Sequence, residues 1–168
     1  RNAAVMSEVC ERFTARNNLI LQSANQYAFF IGHRNAWIPE PQSSYIYNNT
    51  FHCTQAGVTA KLVVFTTDTG SDPSGTVIKN NLSYAPNASS GAVWGLYIGS
   101  ATATESSNSS VAQITGTSPG YTVPPTSTYT TWKPTTGYGV DAGEYVPVFD
   151  DFALVGRTGS NDMGAYQP

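Results

Sequence analysis

Three short segments of the chain end in the same asparagine pair and recur at a near-constant spacing. The pairs occupy positions 17–18, 48–49 and 80–81, so that the second asparagines stand 31 and then 32 residues apart. Each pair closes a short run whose composition is typical of a β-strand. A fixed period of roughly 20–50 residues is typical of architectures that stack similar units. The spacing therefore predicts a β-solenoid, in which function lies on an outer row of side chains.

A second apolar run follows each asparagine pair, at residues 27–32, 60–65 and 92–99. These runs are rich in aromatic and β-branched residues and are bounded by turn-forming residues, as strands are. No stretch of the chain shows a helical period with recognisable caps, so the sequence predicts no helix, although residues 1–11 suit a short helical turn as well as a strand. We therefore assign residues 1–100 to the rungs of the solenoid.

The last third of the chain divides by composition. Residues 101–131 are almost entirely serine, threonine, alanine, glycine and proline, with Tyr121 and Tyr129 as the only large rings. Such a segment buries little apolar surface of its own, so we expect it to lie extended along the solenoid and to be ordered by contact. Aromatic residues return after this stretch, and we assign residues 132–168 to a C-terminal cap.

The low charge of the chain limits its partners and indicates its location. Charged residues make up 11% of the sequence and the net charge is −3, whereas roughly 25% is usual. No basic run is present, so we expect neither a nucleic acid nor a membrane as partner. The abundance of turn formers and strand formers is typical of extracellular proteins, either secreted, on a cell surface or on a virion. Because strand-like sequence follows closely after Arg1, we expect the chain to be a piece of a longer protein.

Cysteines and possible metal ligands are few. The two cysteines, Cys10 and Cys53, allow a disulfide, but we favour two buried free thiols. No cysteine and histidine cluster has the spacing of a zinc site, and no cofactor motif is evident. The composition still allows a calcium ion bound by scattered aspartate and asparagine oxygens.

The repeat and the C-terminal sequence together resemble the right-handed parallel β-helix family of pectate lyases, related polysaccharide-degrading enzymes and phage tailspikes. In that family, a strand ending in Asn-Asn marks a tight turn, where one asparagine adopts a left-handed conformation. An asparagine amide there bonds the equivalent amide of the next rung. The resemblance implies such a ladder through Asn18, Asn49 and Asn81.

The C-terminus carries the more specific part of the resemblance. Many β-helix proteins end with Asp-Ala-Gly, then Asp-Phe-Gly-x-x-Arg, then Asp-Ile-Gly-Ala-Tyr. Here the matching segments are 140–143, 146–157 and 162–166, with an additional Ala-Leu-Val at 153–155 that leaves the partner of the arginine open. The resemblance implies an all-β, right-handed parallel β-helix with about three C-terminal rungs and an extended cap. It assigns to the cap Asp141, Gly143, Asp151, Arg157, Asp162, Gly164 and Tyr166.

Alternation along the repeated strands separates an inner set of side chains from an outer one. The positions expected to point inward are Ala15, Ile46 and Ile78. Their neighbours, expected to form an exposed outer row, are Arg16, Tyr47 and Lys79. An aromatic ring packs on a sugar face and cations bind uronate carboxylates or sulfates, so this row suits an acidic polysaccharide. The alternative is a solvated outer face without a ligand.

A loop supplies three further candidates for glycan binding, His33, Arg34 and Trp37. A histidine beside an arginine is suited to proton transfer, and a tryptophan in a proline-flanked loop is suited to stacking on a sugar. The alternative for Trp37 is packing against a neighbouring loop. Glycoside hydrolysis requires two carboxylates roughly 5–10 Å apart, and no acidic pair in the sequence has a spacing that predicts one. We therefore assign no catalytic residue.

By analogy with the family, we expect the C-terminal part of an extracellular polysaccharide lyase or hydrolase whose catalytic residues lie upstream of Arg1. The alternatives are a non-catalytic carbohydrate-binding or adhesive β-helix of a tailspike, fibre or surface protein, and a purely structural module. The fold alone does not choose among them. An open strand edge promotes aggregation, so we expect two partners: a polysaccharide, and an upstream chain segment or another subunit stacked on the N-terminal rung.

Overall fold

The computed structural model describes residues 3–7, 12–22, 27–33, 44–57, 61–67, 75–88, 93–97, 103–116, 119–121, 132–147, 150–157 and 162–166. Within these ranges the chain forms eleven strands and one short helix. The elements are β1 (Ala3–Ser7), β2 (Thr14–Arg16), β3 (Leu19–Gln22), β4 (Tyr27–His33), β5 (Tyr45–Tyr47), β6 (Thr50–Cys53), β7 (Lys61–Thr67), β8 (Val77–Lys79), β9 (Leu82–Tyr84), β10 (Val93–Tyr97), β11 (Thr104–Ser106) and α1 (Val111–Gly116).

Successive strands are distributed in turn over three parallel sheets. Sheet A contains β1, β4, β7 and β10, sheet B contains β2, β5, β8 and β11, and sheet C contains β3, β6 and β9. Every pairing between these strands is parallel. We call each set of three consecutive strands a layer, so that β1–β3 form the first layer and β10–β11 belong to the fourth. The expected all-β class is thus observed as parallel sheets with little helix.

The register of sheet B follows the asparagine repeat. Ala15 pairs with Ile46, and Ile46 pairs with Ile78. All three side chains are buried, which is the inward position that strand alternation predicts for them. In sheet C, Phe51 is buried at the equivalent inner position of the second layer. Sequence analysis did not separate β3, β6 and β9 from the turns, because these strands begin directly after the asparagine pairs.

The second asparagine of each pair forms a ladder of side-chain hydrogen bonds along the layers. Asn18 Nδ2 donates to Asn49 Oδ1 at 2.7 Å, and Asn49 Nδ2 donates to Asn81 Oδ1 at 2.9 Å. Asn49 Oδ1 also accepts the backbone N–H of Asn18 at 3.1 Å, and Asn81 Oδ1 accepts that of Asn49 at 3.0 Å. The remaining Nδ2 hydrogen of Asn49 bonds the carbonyl of Ala15 at 3.1 Å. The buried amides are therefore satisfied by the layers on either side.

The ladder continues into a fourth layer that sequence analysis did not identify. Asn81 Nδ2 donates to Asn108 Oδ1 at 2.9 Å, and Ser107 has the left-handed φ of 50° that the first asparagine has elsewhere. The strand β11 leads into this turn and lies inside the stretch, residues 101–131, that we expected to lie extended along the solenoid. This turn does not show the asparagine pair, because serine replaces the first asparagine, and the spacing shortens to 27 residues.

Helix α1 corrects the expectation that the chain contains no helix. Ser110 Oγ accepts the N–H of Gln113 at 3.3 Å, and Gln113 Oε1 accepts the N–H of Ser110 at 2.7 Å. This reciprocal pair is a capping box, which supplies partners for N–H groups that the first turn of a helix leaves unpaired. The helix also closes the edge of sheet C, because the Ile114 carbonyl accepts the N–H of Ala85 at 2.7 Å.

The first asparagine of each pair holds the C-terminal part of the chain. These residues adopt φ values of 51–55°, a left-handed conformation that asparagine tolerates. Asn80 Nδ2 donates to the Glu144 carbonyl at 2.6 Å, and Asn17 Nδ2 donates to the Asp150 carbonyl at 2.8 Å. Glu144 is thus held at the third layer and Asp150 at the first. The chain between them must therefore cross the second layer of sheet B.

Backbone groups of residues 162–164 make further hydrogen bonds to the asparagine pairs. Asn48 Nδ2 donates to the Asp162 carbonyl at 3.1 Å. The N–H of Gly164 donates to the Asn80 carbonyl at 2.6 Å. Gly164 has φ +90°, and a Cβ atom there would lie 2.7 Å from Thr50 Oγ1, so only glycine fits this close approach.

Arg157 joins the two ends of the cap. Its Nε donates to the Asp150 carbonyl at 3.1 Å and its Nη2 donates to the Gly164 carbonyl at 2.8 Å. Nη2 also lies 3.4 Å from Asn17 Oδ1. These three oxygen acceptors are the partners that the sequence left open. Burial lowers the pKa of Arg157, and the neighbouring aspartates oppose that change.

The acidic cap residues mostly accept backbone hydrogen bonds. Asp151 Oδ1 accepts the N–H groups of Ala153 and Val155, at 2.8 and 3.0 Å. Asp162 Oδ1 accepts the N–H of Asp141 at 2.7 Å. Burial raises the pKa of Asp162, and the Asp141 hydrogen bond opposes the rise. Two further expected cap residues are Tyr166, buried with its ring 5.5 Å from that of Phe152, and the half-buried Gly143.

Cys53 lies inside the stack as a buried free thiol. Burial raises its pKa, so the thiol is protonated at neutral pH. Its possible disulfide partner, Cys10, lies outside the described residues.

We expect the ladder to account for a large share of stability. Replacing Asn49 with alanine removes four hydrogen bonds and leaves buried groups of the neighbouring layers unpaired. The free energy of unfolding should fall by about 3 kcal/mol in urea denaturation followed by circular dichroism. Asn87→Ala is the matched control, because this exposed side chain donates one bond at 3.1 Å. Equal losses in the two variants would contradict a special role for the ladder.

Candidate functional site

A groove runs over the outer side of sheet B at the first and second layers. Its volume is about 320 Å³. Residues two apart on a strand face the same side, so each of β2 and β5 contributes two alternate side chains. Among the described residues, those that line it are Thr14, Arg16, Tyr45, Tyr47 and Pro147. We call this feature the β2–β5 groove.

Two tyrosines of one strand give the groove its aromatic character. The rings of Tyr45 and Tyr47 lie 5.6 Å apart between centroids and are tilted by 42°. Tyr45 is 39% exposed, whereas Tyr47 is 8% exposed. Burial is the main cause that raises the pKa of Tyr47, with the neighbouring Tyr45 as the second. The Tyr47 phenol therefore stays protonated at neutral pH, while Tyr45 offers an accessible ring.

The third wall of the groove comes from the C-terminal segment. Val146 packs on Tyr47 and forms a buried cluster with it, against which Val77 also packs. Pro147 follows Val146 and lines the groove. This placement results from the asparagine contacts described above, which draw the segment from the third layer to the first. The groove is thus bounded by two strands and by a segment about 100 residues later in the sequence.

The expected outer row of Arg16, Tyr47 and Lys79 lies in register across β2, β5 and β8. The row is not exposed along its length, which corrects the expectation for Tyr47. Arg16 is exposed, but Tyr47 is buried because the C-terminal segment lies over it. The row therefore contributes two of its three side chains to the groove.

Lys79 is engaged by the same C-terminal segment. Its Nζ lies 2.8 Å from Glu144 Oε2, and Ser107 Oγ donates to Glu144 Oε1 at 2.9 Å. The hydrogen bond from Lys79 is the main cause that lowers the pKa of Glu144, and the bond from Ser107 adds to it. Lys79 is thus paired at the edge of the cap and does not line the groove.

Of the three loop candidates, only His33 belongs to the described part of the chain, and it is not among the residues that line the groove. His33 is the last residue of β4 in sheet A. Arg34 and Trp37 lie outside the described residues. Sequence analysis also missed three lining residues. Alternation from Tyr47 would have found Tyr45, and alternation from Arg16 would have found Thr14, whereas nothing local marks Pro147.

His52 lies in an aromatic cluster on the side of sheet C that the C-terminal half of the chain covers. Its ring centroid is 5.4 Å from that of Tyr84, 6.3 Å from Trp132 and 6.5 Å from Tyr121. The side chain is 3% exposed, and its Nδ1 has no hydrogen-bond partner in the part of the chain that the structure describes. Burial lowers the pKa of His52 to about 4. The imidazole is therefore neutral at physiological pH and acts as a packing group.

Within the described ranges, no group of three or more histidine, cysteine, aspartate or glutamate side chains is arranged to hold a metal ion. No helix in the same ranges is long and apolar enough to cross a membrane. Comparison with known proteins finds no protein-family model, curated protein or solved structure that matches the chain.

We expect stability to depend on pH through His52. Its pKa is about 4 in the folded chain and about 6.5 in an unfolded one. The unfolded state therefore binds the proton more tightly, and stability present above pH 6.5 is lost as the pH falls towards 4. The loss should approach about 3 kcal/mol, as measured by urea denaturation at pH 7.5 and 4.5.

The controls for this prediction use both histidines of the chain. His52→Phe keeps a ring in the cluster without a titratable group, so this part of the pH dependence should disappear. His33→Gln removes the other histidine and should leave the dependence in place. An unchanged pH dependence in His52→Phe would contradict the assignment.

Proposed function

We propose that this chain binds an acidic polysaccharide outside the cell, and that the β2–β5 groove is the binding site. The observation that carries the proposal is the position of the exposed Tyr45 ring in a groove that also holds the exposed guanidinium of Arg16. An aromatic face with a few convergent polar groups is characteristic of small-ligand sites. A guanidinium binds a carboxylate or sulfate through paired hydrogen bonds, which favours uronate or sulfated sugars.

We further propose that the three sheets are the faces of a right-handed parallel β-helix. Two observations support this fold. The strands belong to sheets A, B and C in regular turn, and the strands of each sheet pair in parallel. The left-handed residues at one corner of each layer add to that support. A connection between parallel strands of one sheet is right-handed in about 98% of cases. In such a fold, a ligand on sheet B would lie across the layers rather than along one strand.

The groove favours binding over catalysis at this position. Its described lining residues include no carboxylate and no histidine, and glycoside hydrolysis in most enzyme families requires two carboxylates. An activity of the lyase or hydrolase type would therefore use residues outside the groove. New reducing ends would reveal a hydrolase, and unsaturated products that absorb in the ultraviolet would reveal a lyase. Binding without either product would favour an adhesive or carbohydrate-binding role.

We expect polygalacturonate to bind the chain more tightly than a neutral dextran in isothermal titration calorimetry. Arg16→Ala and Tyr45→Ala should each weaken binding by about tenfold, equivalent to about 1.4 kcal/mol. Tyr45→Phe should retain most of the affinity because it keeps the ring. Added salt should weaken binding of the acidic polymer, since the Arg16 contact is exposed to solvent.

Lys133→Ala is the matched control for charge. Lys133 is an exposed cation that does not line the groove, so its removal should change the affinity less than twofold, on the order of 0.4 kcal/mol. Equal weakening by Lys133→Ala and Arg16→Ala would indicate bulk electrostatics instead of a site. Unchanged affinity in Tyr45→Ala would contradict binding in the groove, and equal affinity for dextran would contradict the acidic ligand.

A further inference from the structure

The interior of the asparagine ladder shows what one layer requires from its neighbours. Asn49 Oδ1 accepts the backbone N–H and the Nδ2 of Asn18, at 3.1 and 2.7 Å. Asn49 Nδ2 donates forward to Asn81 and backward to the carbonyl of Ala15. Asn81 repeats the same four bonds one layer later. A ladder asparagine is therefore fully bonded only when a layer lies on each side of it.

Asn18 makes the hydrogen bonds to the following layer, but among the described residues its side chain makes none to a preceding layer. Its Nδ2 donates to Asn49 Oδ1 at 2.7 Å. Among the described residues, no group donates to Asn18 Oδ1, and no carbonyl accepts its second Nδ2 hydrogen. The side chain is half-buried. Asn18 Oδ1 and one Nδ2 hydrogen thus remain at the first layer as an acceptor and a donor with fixed directions and no partner among the described residues.

The adjacent strands of the first layer have the same open side. Among the described strands, β2 is the last strand of sheet B and β3 is the last strand of sheet C in this direction. Leu21 in β3 is 41% exposed, whereas its register partner His52 is 3% exposed. An edge strand beside an exposed apolar side chain is a template for the addition of another strand.

The opposite end of the described stack carries features that the first layer lacks. Glu105 of β11 occupies the register position that Ala15, Ile46 and Ile78 fill in the earlier layers. The edge of β9 is covered as well, because Ser109 Oγ accepts the Ser83 N–H at 2.8 Å and α1 accepts that of Ala85. A carboxylate in the column of inner residues opposes the stacking of a further apolar layer. The two ends therefore differ, and the fourth-layer end of a second copy does not fit the first layer.

We propose that the first-layer end is an interaction surface for one more strand–turn–strand segment that runs parallel to β2 and β3 and carries an asparagine at the ladder position. This asparagine would donate its N–H and Nδ2 to Asn18 Oδ1. A backbone carbonyl of the segment would accept the free Nδ2 hydrogen of Asn18. An apolar side chain of its second strand would cover Leu21. The partner is thus a polypeptide segment with the pattern of this chain's own layers.

The chain's second layer provides the probe for this proposal. A synthetic peptide of residues 44–53 is titrated with the full chain. It carries Cys53→Ser to prevent oxidation, His52→Leu to place an apolar side chain at the register position of Leu21, and a fluorophore at its N-terminus. Fluorescence anisotropy should show saturable binding. The same peptide carrying Asn49→Leu should bind about tenfold more weakly, because it lacks the amide that bonds Asn18. Failure of the unmodified peptide to bind would overturn the proposal.

Variants of the full chain locate the contact at one end. Asn18→Leu should weaken peptide binding by about tenfold, whereas Asn108→Leu, at the other end of the ladder, should change it less than twofold. Leu21→Ser alters an exposed side chain and should weaken binding by about fivefold even if Asn18→Leu fails to fold. Equal effects of Asn18→Leu and Asn108→Leu, or no effect of Leu21→Ser, would overturn the proposal.

A competition arm separates this surface from the β2–β5 groove. Excess polygalacturonate should leave the peptide bound, because the groove lies on the outer face of sheet B and the peptide adds to its edge. Displacement of the peptide by the polymer would overturn the assignment to the edge. Peptide binding that survives in Tyr45→Ala would support the edge contact whether or not the groove binds a glycan.

Discussion

A buried carboxamide needs partners on every side, and this requirement governs the arrangement of the layers. The ladder asparagine has two acceptor sites and two donor hydrogens to satisfy, and layers of the same pattern satisfy them at fixed positions. A shift of one residue in any layer would break these bonds and turn every side chain of the strand to the other face. The register that places Ile46 and Ile78 inside and Tyr45 and Tyr47 outside is therefore maintained by the ladder.

The two asparagines of each pair have different hydrogen-bond partners because their backbone conformations differ. The second points into the stack, and the first adopts the left-handed conformation and presents its amide to the C-terminal segment. Since Asn80 and Asn17 hold that segment at the third and first layers, Val146 and Pro147 come to lie over Tyr47. The groove is a consequence of how the cap docks on the turns of the repeat.

The asymmetry of the stack connects the proposed binding site with assembly. The fourth layer ends in Glu105 and a capped helix, whereas Asn18 of the first layer finds only part of its hydrogen bonds among the described residues. The β2–β5 groove begins at that open layer, because Thr14 and Arg16 are part of its lining. A segment added there would lie about 4.8 Å from β2. It would lengthen the outer face of sheet B beside the groove, so that a longer polymer would contact both chains.

The sequence by itself determined the repeat, the strand-rich class and the inner positions such as Ile46 and Ile78, because periodicity and alternation are properties of neighbouring residues. It pointed to the ladder through the asparagine pairs but missed Asn108, where serine replaces the first asparagine and the spacing shortens. Only the tertiary structure decided the burial of Tyr47 and the position of Pro147 in the groove. Both depend on backbone carbonyls of the cap bonding distant asparagines, and a carbonyl is the same in every residue, so it leaves no mark in the sequence.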